Sequence, residues 1–93
     1  MIMHVYSVFD KKAGAYFPPF FAKTHGMAER NFMATVMDEG HDFHIFAEDY
    51  GLFRLGTFDD TTGKFDSLDS PEHVVDAHVV KAHIAERMQD NAA

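Results

Sequence analysis

The hydrophobic pattern of the chain changes period several times, and each change marks an element. Met3 to Phe9 (MHVYSVF) is rich in β-branched and aromatic residues and predicts a strand. Tyr16 to Lys23 predicts a second strand, interrupted at Pro18 and Pro19. Proline cannot donate to a ladder, so this strand should lie at an edge or be bulged there. The period then becomes helical. Thr24 is placed as an N-cap, Ala28, Phe32 and Val36 recur at i, i+4, i+8, and Gly40 is placed to end the helix. Met33 and Met37 flank that stripe as adaptable core filler. Two further strands follow, near Leu52–Phe58 and Lys64–Leu68.

The last helix has a clearer start signal, with Ser70 as N-cap, Pro71 at its first position, and Glu72 and Asp76 near the positive dipole end. Its apolar stripe is Val74, Ala77, Val80, Ile84 and Met88, with Val75 and Val79 outside it. The tail Gln89–Ala93 is expected to fray. The stretch from Gly40 to Tyr50 (GHDFHIFAEDY) reads as an irregular linker pinned by Phe43, Ile45 and Phe46.

Two octapeptides share one design: FDKKAGAY (Phe9 to Tyr16) and FDDTTGKF (Phe58 to Phe65). Each sits between two predicted strands. An aspartate at the start of such a turn accepts backbone N–H bonds two or three residues on. Gly14 and Gly63 then supply the positive φ that a short hairpin loop needs. Both are therefore predicted hairpin turns, and turn chemistry alone accounts for the likeness. The expected fold class is α+β: two antiparallel β-hairpins forming a small sheet, with two helices, in the order β-β-α-β-β-α. At 93 residues it makes one domain, with a core to residue 68 and a C-terminal helix and tail from residue 69.

Composition narrows the chemistry. Hydrophobic residues make up 46 %, with ten Phe and no Trp or Cys. That is a folding composition held by packing alone, with no disulfide or thiolate metal site. No apolar run approaches the roughly 20 residues that span a bilayer, and the start has no signal-peptide pattern, so no membrane is expected. The net charge of −7 is uneven. Residues 1–30 hold Lys11, Lys12, Lys23 and Arg30 against Asp10 and Glu29, a net of +2, while residues 31–93 carry −9.

The remaining motifs weigh against catalysis. His41 and His44 lie three apart near Asp42, Glu48 and Asp49, yet no third ligand has diagnostic spacing. His73, His78 and His83 recur every five residues and do not share a helix face. The run DDTTG from Asp59 lacks the spaced oxygens of a calcium loop. No phosphate cradle or nucleophile signature is present, so no enzyme, cofactor or metal is expected.

The informative stretch is KKAGAYFPPFFAK, Lys11 to Lys23. It combines Lys11, Lys12 and Lys23 with Tyr16, Phe17, Phe20 and Phe21, the mixture that sequence-tolerant single-strand binding uses: rings for bases, cations for phosphates. Strand alternation would set Tyr16 and Phe20 on one face and Phe17 and Phe21 on the other, with one pair buried in the core.

VYSVFDKKAGAYFPPFFAK, then AERNFMATV, then EDYGLFRLGTFDDTTGKF, resembles the small nonstructural protein of gokushovirus-type Microviridae, phages with single-stranded DNA. The resemblance covers about residues 4–68, and its most specific pieces are KAGAYFPPF and EDYGLFRLGTFDD. It implies a viral accessory protein, absent from the capsid shell, in the cytoplasm of the infected bacterial host. The implied role lies in DNA replication or the switch from replication to packaging, and it carries over no catalytic residue. The expected partners are single-stranded DNA, bound weakly through the first hairpin, or a viral or host replication protein bound without DNA. Val75, Val79 and the edges of a four-stranded sheet add the expectation of a homodimer.

Overall fold

The computed structural model describes residues 1–92. The elements are β1 (Ile2–Asp10), β2 (Ala15–Tyr16), β3 (Phe20–Ala22), α1 (His25–Met37), α2 (Asp42–Ile45), a 3-10 turn (Ala47–Asp49), β4 (Tyr50–Asp59), β5 (Lys64–Asp76) and α3 (Ala77–Ala92). All strand pairings are antiparallel, in the order β2-β1-β4-β5, with β3 beside β2 on the free side of β1. The class is α+β, as the pattern of the chain predicts.

The helices cover one face of the sheet. Tyr6, Val8, Tyr50 and Leu52 point from the central strands into a core completed by Ala28, Phe32 and Val36 of α1, Phe43 of α2, and Ala77 and Val80 of α3. Thr24 caps α1, its Oγ1 accepting from the Met27 N–H at 3.2 Å. The helix ends at Met37, where Asp38 donates its N–H to the Thr35 carbonyl, so Gly40 lies beyond the end it was expected to form. Tyr6 is fully buried, and its hydroxyl donates to His25 Nδ1 at 3.0 Å while His25 Nε2 donates to Glu29 at 2.9 Å. Burial pushes the Tyr6 hydroxyl above its usual pKa, which keeps it the donor of that chain.

Three expectations need correction. The last helix does not begin at Ser70. Residues Ser70 to Asp76 continue β5, and α3 starts at Ala77. The cap signal Ser-Pro-Glu is overruled because Val74 and Val75 gain more by packing on the core as strand residues beside β4. Pro71 is tolerated because β5 is an edge strand and bulged there: Gly56 faces Ser67 while Arg54 faces Glu72, so two steps on β4 match five on β5. The Gly40–Tyr50 linker is not irregular but holds α2 and the 3-10 turn. Only Phe43 of its three expected anchors is buried, while Ile45 and Phe46 are exposed. Finally, Val75 is not a helix residue, so of the two valines behind the dimer expectation only Val79 is exposed on α3. The backbone of residues 89–92, read as frayed, is helical, and Ala93 lies outside the described residues.

Gly56 is the tightest point of the sheet. A Cβ there would come 2.2 Å from the Asp66 carbonyl oxygen and 2.9 Å from Ser67 Cα, both backbone atoms that cannot swing away. Gly56→Ala should therefore destabilise by about 2 kcal/mol or more. Gly26→Ala, in open space on α1, should instead stabilise by up to about 1 kcal/mol. Urea unfolding of the two variants measures both.

Candidate nucleic-acid interface

Both octapeptides form four-residue loops that close on glycine. Asp10 faces Ala15 and Asp59 faces Lys64, and the N–H of Gly14 and of Gly63 donates to the carbonyl of its aspartate at 2.8 and 2.7 Å. Gly14 has φ 66° and Gly63 φ 75°. The Asp10 carboxylate accepts from the Lys12 and Ala13 N–H groups, and the Asp59 carboxylate from the Thr61 N–H. The two loops lie at opposite ends of the sheet, because β1 and β4 run antiparallel with Ile2 facing Asp59 and Asp10 facing Tyr50.

The aromatic residues that open and close each octapeptide are cross-strand partners. Phe9 faces Tyr16 with ring centroids 4.8 Å apart, and Phe58 faces Phe65 at 4.7 Å. Both pairs lie on the face that no helix covers. Alternation along β1 sends Tyr6 and Val8 under the helices and Met3, Val5, Ser7 and Phe9 to the face without helices, where Val5 and Ser7 are themselves buried. At one end Phe53 joins Phe9 and Tyr16, and the His73 ring meets Phe53 at 5.2 Å while its Nε2 donates to Asp76 at 3.0 Å. At the other end Phe21 joins Phe58 at 5.4 Å and Phe65 at 6.2 Å. Rings on this face remain available to a ligand: Tyr16 is 41 % exposed, Phe21 43 % and Phe65 62 %. Six residues along β1, about 20 Å, separate the row of the Phe9–Tyr16 pair from that of the Phe58–Phe65 pair, with Phe53 and Phe21 in the rows of Ser7 and Val5 between them.

This arrangement corrects the expected pairing of rings. Phe9 faces Tyr16, whereas Tyr6 faces Phe20, so three steps on β1 correspond to four on its partner. One extra residue at the Pro18-Pro19 break inverts the alternation beyond it. Tyr16 and Phe21 therefore share the open face. Phe17 packs on Phe43 and Tyr50 on the helix side, and Phe20 stacks on Tyr6. A groove of about 410 Å³ runs there, lined by Phe17, Pro18, Phe20, Asn31, Phe32 and Phe43 among others. The break is held by the Ser7 hydroxyl, which donates to the Phe17 carbonyl, and by the Phe17 N–H, which donates to Val8.

Of the three candidate lysines, Lys11 is partly committed, its Nζ donating to the Glu48 carbonyl at 3.3 Å. Lys12 is exposed in the first loop beside the Tyr16 cluster, and Lys23 is exposed one residue past β3. Phe9, Phe53, Phe58, Phe65 and His73 were missed in the sequence. The signal for three of them, Phe9, Phe58 and Phe65, was present, since the first and eighth residues of each octapeptide are the paired rings.

His41 and His44 are occupied structurally. His41 Nδ1 accepts from the Phe43 N–H at 3.0 Å, capping α2, and His44 Nδ1 donates to the Val36 carbonyl at 2.9 Å. Among the described residues no group of three or more His, Asp or Glu side chains stands close enough to hold a metal ion. No helix among them is long and apolar enough to cross a membrane.

A small α+β protein with a helix-backed sheet and a ring-bearing open face is the class that this geometry defines. The chain matches the family model described as Phage ORF5 protein over residues 3–80 and belongs to that family. The match runs past residue 68 through β5 and into the first turn of α3. No curated protein and no solved structure matches the chain.

The Thr61 N–H bond holds the Asp59 carboxyl below its ordinary pKa of 3.8. A depressed carboxyl contributes stability that is full above the ordinary value and lost as pH falls through the lowered one. The stability gap between wild type and Asp59→Ala should therefore be constant near neutrality and shrink below about pH 4, as followed by thermal unfolding across that range.

Proposed function

We propose that this chain is a non-enzymatic accessory protein of a single-stranded DNA phage that binds single-stranded DNA across the open face of its sheet. The observation that carries the reading is the pair of ring clusters left exposed at the two ends of that face. Bases stack on rings of any sequence context, each stack being worth about 1–3 kcal/mol. The resemblance to the nonstructural protein of gokushovirus-type Microviridae supports the finer assignment, a role in single-strand production or in the switch from replication to packaging in the host cytoplasm. Lys12 and Lys23 flank the two clusters in the chain and supply phosphate contacts, with Lys11 a third when released from Glu48.

The net charge of −7 sets the character of the binding. Few cations meet phosphates, so affinity is modest, suited to a protein that coats DNA transiently and yields it to packaging. The groove beside Phe17 and Phe20 favours a second reading, in which the acidic chain docks a viral or host replication protein on its helix side without contacting DNA.

The two readings separate by mutation. Tyr16→Ala and Phe21→Ala should each weaken binding of a labelled oligothymidylate about 5- to 150-fold in a low-salt anisotropy titration. Phe17→Ala should lower thermal stability and leave affinity unchanged, because that ring, although as exposed as Tyr16, lies on the helix side against Phe43 and Tyr50. Affinity should fall with salt at a log–log slope of about −2, the value for three phosphate contacts to a single strand, and replacing Lys12 and Lys23 should flatten it. Absence of binding at low salt, or open-face variants without effect, would remove the DNA reading in favour of the second one.

A further inference from the structure

Next to the Phe58–Phe65 pair, on the side toward the Phe9–Tyr16 pair, the open face is recessed. Two residues along β1 from the Met3 and Phe58 row, the strands present Val5, Gly56 and Ser67 in register. A cavity of about 190 Å³ lies over this row, walled by Pro19, Leu55 and Phe65, with Val5, Gly56 and Ser67 beneath and Thr57 and Asp66 at its margin. Its floor cannot be filled from within, because a Cβ on Gly56 would collide with the β5 backbone. Leu55 is the extra residue of a β4 bulge, since Val5 faces Gly56 while Tyr6 faces Arg54, and it is this bulge that turns Leu55 into the wall.

We infer that this recess receives a single unstacked base from the DNA strand that crosses the face, an inference that rests on the single-strand reading above. Three features choose a base over other parts of a nucleic acid. The volume lies below the roughly 300–1,000 Å³ of sites that enclose drug-sized ligands, so it takes one flat group. The lining holds the Asp66 residue and no lysine or arginine, so it offers a phosphate no counter-charge. Pro19, Leu55 and Phe65 give apolar surface for the flat faces of a ring, while the Ser67 hydroxyl, donor and acceptor at once, meets the polar edge of any base. The recess adjoins the Phe58–Phe65 pair on the side that faces the Phe9–Tyr16 pair, so a strand stacked on both pairs passes over it. At 3.4 Å per stacked nucleotide the roughly 20 Å span takes about six nucleotides.

The test is a coupling measurement on the intact chain. Hexathymidylates carrying one abasic residue at each position in turn are titrated against wild type and Ser67→Phe, a change at an exposed strand position that fills the recess. Circular dichroism first establishes that the variant is folded, and Ser67→Val serves as the smaller filler. In the wild type, loss of one interior base should weaken binding at least fivefold more than loss of its neighbours. In Ser67→Phe that position should cease to matter, its penalty having been incurred by the substitution itself. Equal penalties at all interior positions, with Tyr16→Ala still weakening binding, would overturn the recess and leave the ring platform standing. So would Ser67→Phe binding the intact hexamer as tightly as wild type or more tightly. Absence of hexamer binding at low salt, in wild type and Tyr16→Ala alike, would overturn the platform and the recess together.

Discussion

Tyr6 sits near the middle of a central strand, has no solvent exposure, and spends its one polar atom on His25. A side chain of that size has no other place to go in so small a protein, and its burial fixes the orientation of β1. Because side chains alternate with period two, every neighbour of Tyr6 at odd spacing is then committed to the opposite face. Phe9 is sent outward by that commitment, and its antiparallel partner Tyr16 goes with it. The same parity, relayed through β4, brings Leu52 under the helices and Phe53 out beside Phe9. The ring-bearing face is thus the geometric complement of the core.

Much of the fold was legible because its signals are local. The Asp-to-Gly loops close as their residue types require, with both glycines at positive φ. The α1 stripe of Ala28, Phe32 and Val36 is buried behind its Thr24 cap. The failures share a cause as well. Ser70-Pro71-Glu72 is a genuine start signal, yet it competes with a strand already paired on one side, and Val74 and Val75 tip the balance through packing that no local pattern records. In the Gly40–Tyr50 stretch, α2 is one turn long and depends on the His41 cap and on Phe43 meeting Phe17, Phe32 and Tyr50. A helix of four residues has no period to detect.

The candidate site was legible in composition and illegible in grouping. The aromatic and basic stretch from Lys11 to Lys23 contains Tyr16 and Phe21, both on the open face. What alternation could not supply was the single inserted residue at Pro18-Pro19, which exchanges the faces of every ring after it. Nor could a hairpin read in isolation show that Phe21 would meet Phe58 and Phe65 from the far end of the chain. The inverted parity has a benefit for packing, since it turns Phe20 onto Tyr6 and leaves Phe17 to cover Phe43.

The proline-bearing edges carry a consequence of another kind. A protein that displays a row of phenylalanines on an open sheet is at risk of cross-β stacking, in which one sheet templates the next through its unpaired backbone. Here the free side of β1 is taken by two short strands with Pro18 and Pro19 between them, and the free side of β5 is distorted by a bulge that contains Pro71. Neither side offers a long straight run of donors and acceptors. The rings are consequently presented by a sheet whose edges offer little template for strand addition.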